Sequence, residues 1–94
     1  MIRAMRVKVF GFVQGIGYRS WTKKRAEELG LNGWVRNLSD GSVEAYFEGK
    51  SNSLSRMIEL MKKGPRFARV EKIEIKEESQ IKGLDNFQVV YQDY

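Results

Sequence analysis

The stretch Gln14-Gly15-Ile16-Gly17-Tyr18-Arg19 concentrates this sequence's means of handling an anion. A glycine-rich turn that runs straight into a helix leaves backbone N–H groups without intrahelical partners at the positive end of the helix dipole, where they can converge on an oxyanion. An arginine at the helix start adds a planar, permanently charged fork that matches two phosphate oxygens. Such a cradle suits a phosphate dianion without a metal. The same glycines could merely turn the chain, leaving Arg19 one of eight solvated arginines. The pattern is not a Walker loop, because the spacing and the Lys-Ser/Thr pair are missing.

What the chain lacks narrows the chemistry further. It has neither histidine nor cysteine, which removes the usual general base, the thiolate nucleophile and the preferred zinc ligands together. Reaction chemistry must run on Arg, Lys, Asn, Gln, Ser, Tyr, carboxylates and backbone amides. Asp40, Asp85 and Asp93 are scattered, and most glutamates alternate with lysines, so no cluster of oxygen ligands suggests a Mg²⁺ cage. The expectation is no metal and no cofactor. An excess of 17 Lys and Arg over 12 Asp and Glu gives a net charge of +5. That favours anionic partners without choosing between a nucleic acid and a phosphorylated metabolite.

These residues need elements to position them. Met5, Val7 and Val9 alternate with Arg6 and Lys8, the period of a half-buried strand, which ends at Gly11. Gly11 to Gly17 reads as a loop. Tyr18, Thr22, Ala26 and Leu29 then recur at helical spacing, and Gly30 stands where a glycine closes a helix. Residues 34–38 form a second strand, Ser39-Asp40-Gly41-Ser42 a turn, and Val43, Ala45 and Phe47 the buried side of a third, so the pair is a hairpin. Glu44, Tyr46 and Glu48 point outward in this reading. A second helix begins near Ser53, carries Leu54, Met57, Ile58 and Met61 on one face, and stops at Gly64-Pro65. Residues 70–75 make a fourth strand, and 87–91 a short fifth at an edge.

The order β-α-β-β-α-β with a tail strand predicts an α+β, ferredoxin-like split βαβ sandwich with two helices on one face of an antiparallel-rich sheet. Right-handed crossovers make strands one and two parallel with strand three between them. The loop after strand one and the end of strand two then emerge at one edge, so Gly15 to Arg19 face Asn37. At 94 residues the chain reads as a single domain over 1–94. No apolar run approaches the roughly 18 residues of a membrane span, and the N-terminus lacks the apolar core of a signal peptide. Cytoplasm is the default compartment, and monomer the default state.

Gly11-Phe12-Val13-Gln14-Gly15-Ile16-Gly17-Tyr18-Arg19 resembles the first signature of the acylphosphatase family. Gly33-Trp34-Val35-Arg36-Asn37, followed by Asp40-Gly41-Ser42-Val43-Glu44, resembles the second. Weaker echoes at Gly49, Gly64-Pro65 and Val70 extend the likeness over nearly the whole chain. Ile16 stands where the family usually has valine, and Tyr18 where it usually has phenylalanine, which adds a hydroxyl in need of a partner. The resemblance implies a ferredoxin-like fold and metal-free hydrolysis of a carboxyl-phosphate anhydride. It makes Arg19 the phosphate binder, Asn37 the residue that orients water, and the amides of Gly15, Ile16, Gly17, Tyr18 and Arg19 the rest of the cradle. Its implied partners are a small acyl phosphate as substrate and inorganic phosphate as product and competitive inhibitor.

Two other classes compete. Lys8-Val9-Phe10-Gly11-Phe12-Val13 loosely echoes an RNA-recognition octapeptide, but that motif belongs on strand three, where the outward glutamates would repel phosphates. Nucleic acid and membrane are therefore not expected partners. A catalytically silent domain, of the kind found in larger hydrogenase-maturation carbamoyltransferases, is opposed by Arg19 and Asn37 both being present. Trp34 reads as core or hairpin packing, and Trp21 fits either a surface ring beside the site or the packed face of the helix.

Overall fold

In the computed structural model, which describes residues 1–91, the period-two stretch becomes strand β1, Ile2–Phe12, with Val7 and Val9 fully buried. The chain continues through α1 (Tyr18–Glu28), β2 (Asn32–Asn37), β3 (Val43–Lys50), α2 (Ser51–Lys63), β4 (Arg69–Glu78) and β5 (Phe87–Val90). Asp93 lies outside the described residues. The strands form one sheet in the order β4-β1-β3-β2-β5. β3 runs antiparallel to both β1 and β2, which are thus parallel to each other with β3 between them, as the crossover rule requires. β4 adds antiparallel to β1, and β5 adds parallel to β2 at the other edge.

Register explains the core. Val7, Ala45 and Val35 stand side by side across β1, β3 and β2, and Met5 and Phe47 form the neighbouring pair. These residues pack against Tyr18 and Ala26 of α1 and Leu54, Met57 and Met61 of α2, so both helices cover the same face. Phe87 brings β5 into this core by stacking on Phe47, ring centroids 5.4 Å apart. No helix among the described residues is long and apolar enough to cross a membrane.

Several boundaries differ from the sequence expectation, each for a physical reason. β1 does not end at Gly11; a bulge between Phe10 and Gly11 lets it pair with β4 through Phe12. α2 starts at Ser51 rather than near Ser53, because β3 runs directly into it. Lys50 is the extended N-cap, without a capping side chain, and Ser51 N–H donates to the Met1 carbonyl at 3.2 Å. β4 is longer than 70–75 because its pairing with β1 reaches back to Ala4. Its charged residues are exposed along that edge, a composition that discourages further strand addition.

A larger correction concerns the side of the sheet away from the helices. Tyr46 and Glu48 do lie there, in register with Trp34 and Asn32, but they are not solvated: Tyr46 is 0% and Glu48 4% exposed. Residues 82–84, from the connection before β5, cross over them. Glu48 accepts hydrogen bonds from the Tyr46 hydroxyl at 2.7 Å, from Lys82 N–H at 2.9 Å and from Leu84 N–H. Burial alone would raise the Glu48 carboxyl, but these donors outweigh it and hold its pKa below the ordinary glutamate value. Trp34 is on this face too, not in the core. It stacks on Tyr46 between the Arg6 and Arg36 guanidinium groups, 5.4 and 5.0 Å from its ring centroid.

At Gly33 the backbone of β3 leaves no room for a side chain on β2. The Gly33 φ is +151°, and a Cβ there would lie 1.8 Å from the Tyr46 carbonyl oxygen, which belongs to backbone and cannot swing aside. Gly41 also has positive φ, +93°, but open space around it. Gly33→Ala should therefore cost more than about 3 kcal/mol in urea denaturation, and Gly41→Ala about 1 kcal/mol from backbone strain alone. Equal losses would show that the close approach does not control the hairpin.

Candidate active site

The site is assembled at the end of the sheet where β1 and β2 finish. Val13, buried, anchors the chain as it leaves β1, and Ile16 packs its side chain against the core. Between and after them, Gly15 and Gly17 take left-handed conformations, φ +77° and +81°. Gly17 is the N-cap of α1, and its carbonyl accepts from Trp21 N–H at 3.0 Å. No side chain caps this helix and no acidic residue occupies its first turn. The first-turn N–H groups, with the positive end of the dipole, therefore meet no carboxylate from the helix itself.

Tyr18 fixes the rotation of α1. It is 2% exposed, and its hydroxyl donates to the Met61 carbonyl near the end of α2 at 2.8 Å, which supplies the partner the sequence could not identify. Burial pushes its pKa far above the ordinary tyrosine value, so the hydroxyl stays protonated. Trp21 meets the Tyr18 ring edge-on at 5.3 Å and packs on the core, which places it on the packed helix face. With Tyr18 turned inward, Arg19, one residue and about 100° further round the helix, is directed elsewhere. Its Nη1 donates to the Val90 carbonyl at the end of β5 at 3.1 Å, and its guanidinium carbon lies 5.1 Å from the centre of the Tyr91 ring.

Asn37 is the last residue of β2 and is 6% exposed. The hairpin turn after it is closed by Leu38 N–H to the Ser42 carbonyl at 2.9 Å and Gly41 N–H to the Leu38 carbonyl at 3.1 Å. The Asp40 carboxylate accepts from the Ser42 hydroxyl and, at 2.9 Å, from Ser42 N–H. These bonds, joined by Lys8 3.1 Å away, pull its pKa down to about 2. Gln14 ties this turn to the glycine loop: its Nε2 donates to the Leu38 and Ser42 carbonyls, both at 2.8 Å.

The result is a cleft of about 90 Å³. Gly15, Gly17, Tyr18 and Arg19 line it together with Asn37 and Tyr91, and Val13 and Ser20 complete it. Of the residues expected at the site, only Ile16 is not in the lining, so its sole means of contributing is its backbone N–H. Gln14 and β5 are the features that sequence reasoning missed. Gln14 stood within the first motif without a role, and nothing local in residues 87–91 signals contact with Arg19. A larger depression, about 540 Å³, opens beside Asn32, Glu48 and Lys50. It holds no arginine and does hold a carboxylate, so the smaller cleft is the better anion site. Among the described residues no carboxylate lines that cleft, and no three Asp or Glu side chains converge as metal ligands would.

Comparisons with known proteins bear on the fold and the family of this chain. The family model described as Acylphosphatase matches residues 5–89. An acylphosphatase of Methanothrix thermoacetophila is 46% identical over 91 residues, 97% of this chain and 100% of that one. The crystal structure of acylphosphatase from Bacillus subtilis has a TM-score of 0.92 at 37% identity, covering 97% of this chain and 100% of that chain. Full-length HypF, in a phosphate- and nucleotide-bound form, contains a region with a TM-score of 0.90 and 26% identity that covers 99% of this chain but 12% of the HypF chain. With a family match over most of its length and a relative similar from end to end, the chain belongs to the acylphosphatase family.

Proposed function

We propose that the protein hydrolyses small acyl phosphates without a metal, Arg19 and the loop amides holding the phosphoryl group and Asn37 aiming the water. The observation that carries this reading is the shared cleft. Arg19 opens one helix and Asn37 ends a strand on the far side of the crossover, yet both line the same small cavity. Membership of the acylphosphatase family supplies the reaction class.

The Arg19 fork and the N–H groups from Gly15 through Arg19 surround the phosphoryl oxygens and offset charge as the transition state forms. The Asn37 amide can donate to one partner and accept from a water proton, so it orients without adding charge. Water oxygen bonds to phosphorus as the bond from phosphorus to the acyl oxygen breaks, and a carboxylate departs with that electron pair. The water proton passes to a phosphoryl oxygen, leaving inorganic phosphate. A carboxylate is a good leaving group and phosphoryl transfer depends mainly on position and charge, so no histidine is needed. The proposal includes a monomer acting in the cytoplasm, with inorganic phosphate as product and competitor. The buried Tyr46 and the doubly covered Trp34 ring offer little to a stacking base, which supports a metabolite rather than RNA. The HypF likeness raises the alternative of a silent module, and the presence of both Arg19 and Asn37 in one cleft opposes it.

Benzoyl phosphate hydrolysis tests the reading. Turnover should survive exhaustive EDTA treatment, and phosphate or sulfate should compete with substrate; loss of activity that Mg²⁺ restores would refute the site. Arg19→Ala should lower turnover on the order of a thousandfold and weaken phosphate inhibition, with Arg19→Lys rescuing only in part. Asn37→Ala should lower turnover about a hundredfold while phosphate inhibition changes little. Asn37→Asp should be no faster and should bind phosphate worse, since it sets a negative charge beside a dianion; wild-type speed would make residue 37 a base and end the substrate-assisted proton transfer.

Gln14 generates a separate expectation. Gln14→Leu keeps the bulk but removes both bonds between loop and hairpin, so the cradle and Asn37 lose their fixed spacing. Turnover should fall about tenfold or more, with a smaller change in the inhibition constant of phosphate, because alignment suffers before binding does. An unchanged turnover number would mean that the backbone alone sets that spacing.

A further inference from the structure

Glu48 lies on the sheet face away from both helices. It pairs with Asn32, five residues along β3 from the Val43–Asn37 pair at the cleft end, a separation of about 17 Å. Even so, its hydrogen bonds lead back to the cleft. Its carboxylate accepts Lys82 N–H and Leu84 N–H from the β4–β5 connection as well as the Tyr46 hydroxyl. Beside it, Asn32 Nδ2 donates to the Leu84 carbonyl at 2.7 Å, and Gly33 N–H donates to the Asn86 carbonyl at 2.9 Å. The residue after Asn86 begins β5, whose last residue supplies the carbonyl that accepts Arg19 Nη1.

β5 has only four residues and a single strand neighbour, β2. A strand that short is weakly specified by its own pairing, and its register depends on what holds its ends. We propose that Glu48 is a positioning residue for the phosphate site: it pins the β4–β5 connection, and through the register of β5 it sets where the Val90 carbonyl and Tyr91 ring hold the Arg19 guanidinium. The inference rests on the reading of Arg19 as the phosphate ligand.

The chemistry of the clamp explains the residue type. The Tyr46 O–H and backbone N–H groups of residues 82–84 converge on this side chain. An ionised carboxylate has two acceptor oxygens and no hydrogen, so it can accept from all of them. A glutamine of the same shape would turn its NH₂ against at least one of them, and an alanine would leave the N–H groups and the hydroxyl without this acceptor.

The test measures the affinity of the whole chain for inorganic phosphate, by calorimetry or by titration of backbone NMR signals. Glu48→Ala and Glu48→Gln are made in the wild type and in Arg19→Ala. If Glu48 acts through Arg19, Glu48→Ala should weaken phosphate binding about fivefold in the wild type, Glu48→Gln should do so less, and neither should weaken it further once Arg19 is gone. Hydrogen exchange should quicken at residues 82–90 while β1 and β3 remain protected. A residue that merely stabilises the fold would leave the affinity of folded molecules unchanged, or alter it by the same factor in both backgrounds, and either result overturns the inference. Should the alanine variant not fold, the isosteric Glu48→Gln carries the comparison alone. If Arg19→Ala bound phosphate as the wild type does, the reading of the site would fall and this inference with it. If Arg19 mattered and the Glu48 variants did not, only the inference would fall.

Discussion

Two strands that point the same way but are not neighbours set the conditions for everything else in this molecule. β1 and β2 are parallel, and β3 lies between them. At the usual strand spacing their ends stand roughly 10 Å apart. Adjacent strands would leave no room between their ends for a cleft. A gap two spacings wide does, provided something spans it. The loop from Val13 to Gly17 reaches across from the β1 side, and the Gln14 amide closes the span by binding two carbonyls of the β2–β3 turn. The separation between the cradle and Asn37 is thus set by sheet geometry and held by one side chain.

The electrostatic character of the cleft follows from what each element is made to do structurally. Tyr18 commits one face of α1 to the core through its bond to Met61, and this leaves the uncapped helix start and Arg19 for the cleft. Among the described residues, the nearby carboxylates of Asp40 and Glu44 are occupied elsewhere. Asp40, on the turn that Gln14 grips, is held by Ser42 and Lys8, and it does not line the cavity. Glu44 is engaged by Arg36, with two of its N–H groups at 2.9 and 2.7 Å. Among the described residues, acidic groups near the cleft are thus paired away from it, which favours an anion there without an unusual density of cations.

This division also explains what could be read from the sequence. The alternation in β1, the helical spacing of Tyr18, Thr22 and Ala26, and the Asp40-Gly41 turn are local signals, and the elements follow them closely. Topology came from element order, because handedness leaves few arrangements for β-α-β-β-α-β. Arg19 and its glycines were legible as chemistry, whereas Asn37 was legible only through the motif around it, since a strand-end asparagine has no distinguishing pattern. The partner of the Tyr18 hydroxyl is a backbone carbonyl 43 residues away, and any residue at position 61 would present one. Glu48 misled for a related reason. Its alternation placed it correctly on the outer face, but nothing in residues 79–86 has a period, so their crossing over that face left no trace. Periodicity reports which face a side chain takes; it is silent about irregular chain that later covers the face.

A chain of 94 residues has room for one small core, and here α2, β1 and β3 supply much of it. The cleft is built from the loop, the start of α1, the end of β2 and the end of β5, where the polar side chains of Arg19 and Asn37 stand at the border of that core. Packing alone does not fix polar side chains in such a region, so directed hydrogen bonds take over: Gln14 for the loop, Tyr18 for the helix, Val90 for Arg19. Each of these ends on a backbone carbonyl rather than on another side chain. A carbonyl held in a sheet, a turn or a helix end moves only when its element moves, so it is a firmer reference point than a rotatable group. A site without histidine or cysteine depends on position more than on proton affinity, and backbone carbonyls are the most economical way for a chain this short to fix position.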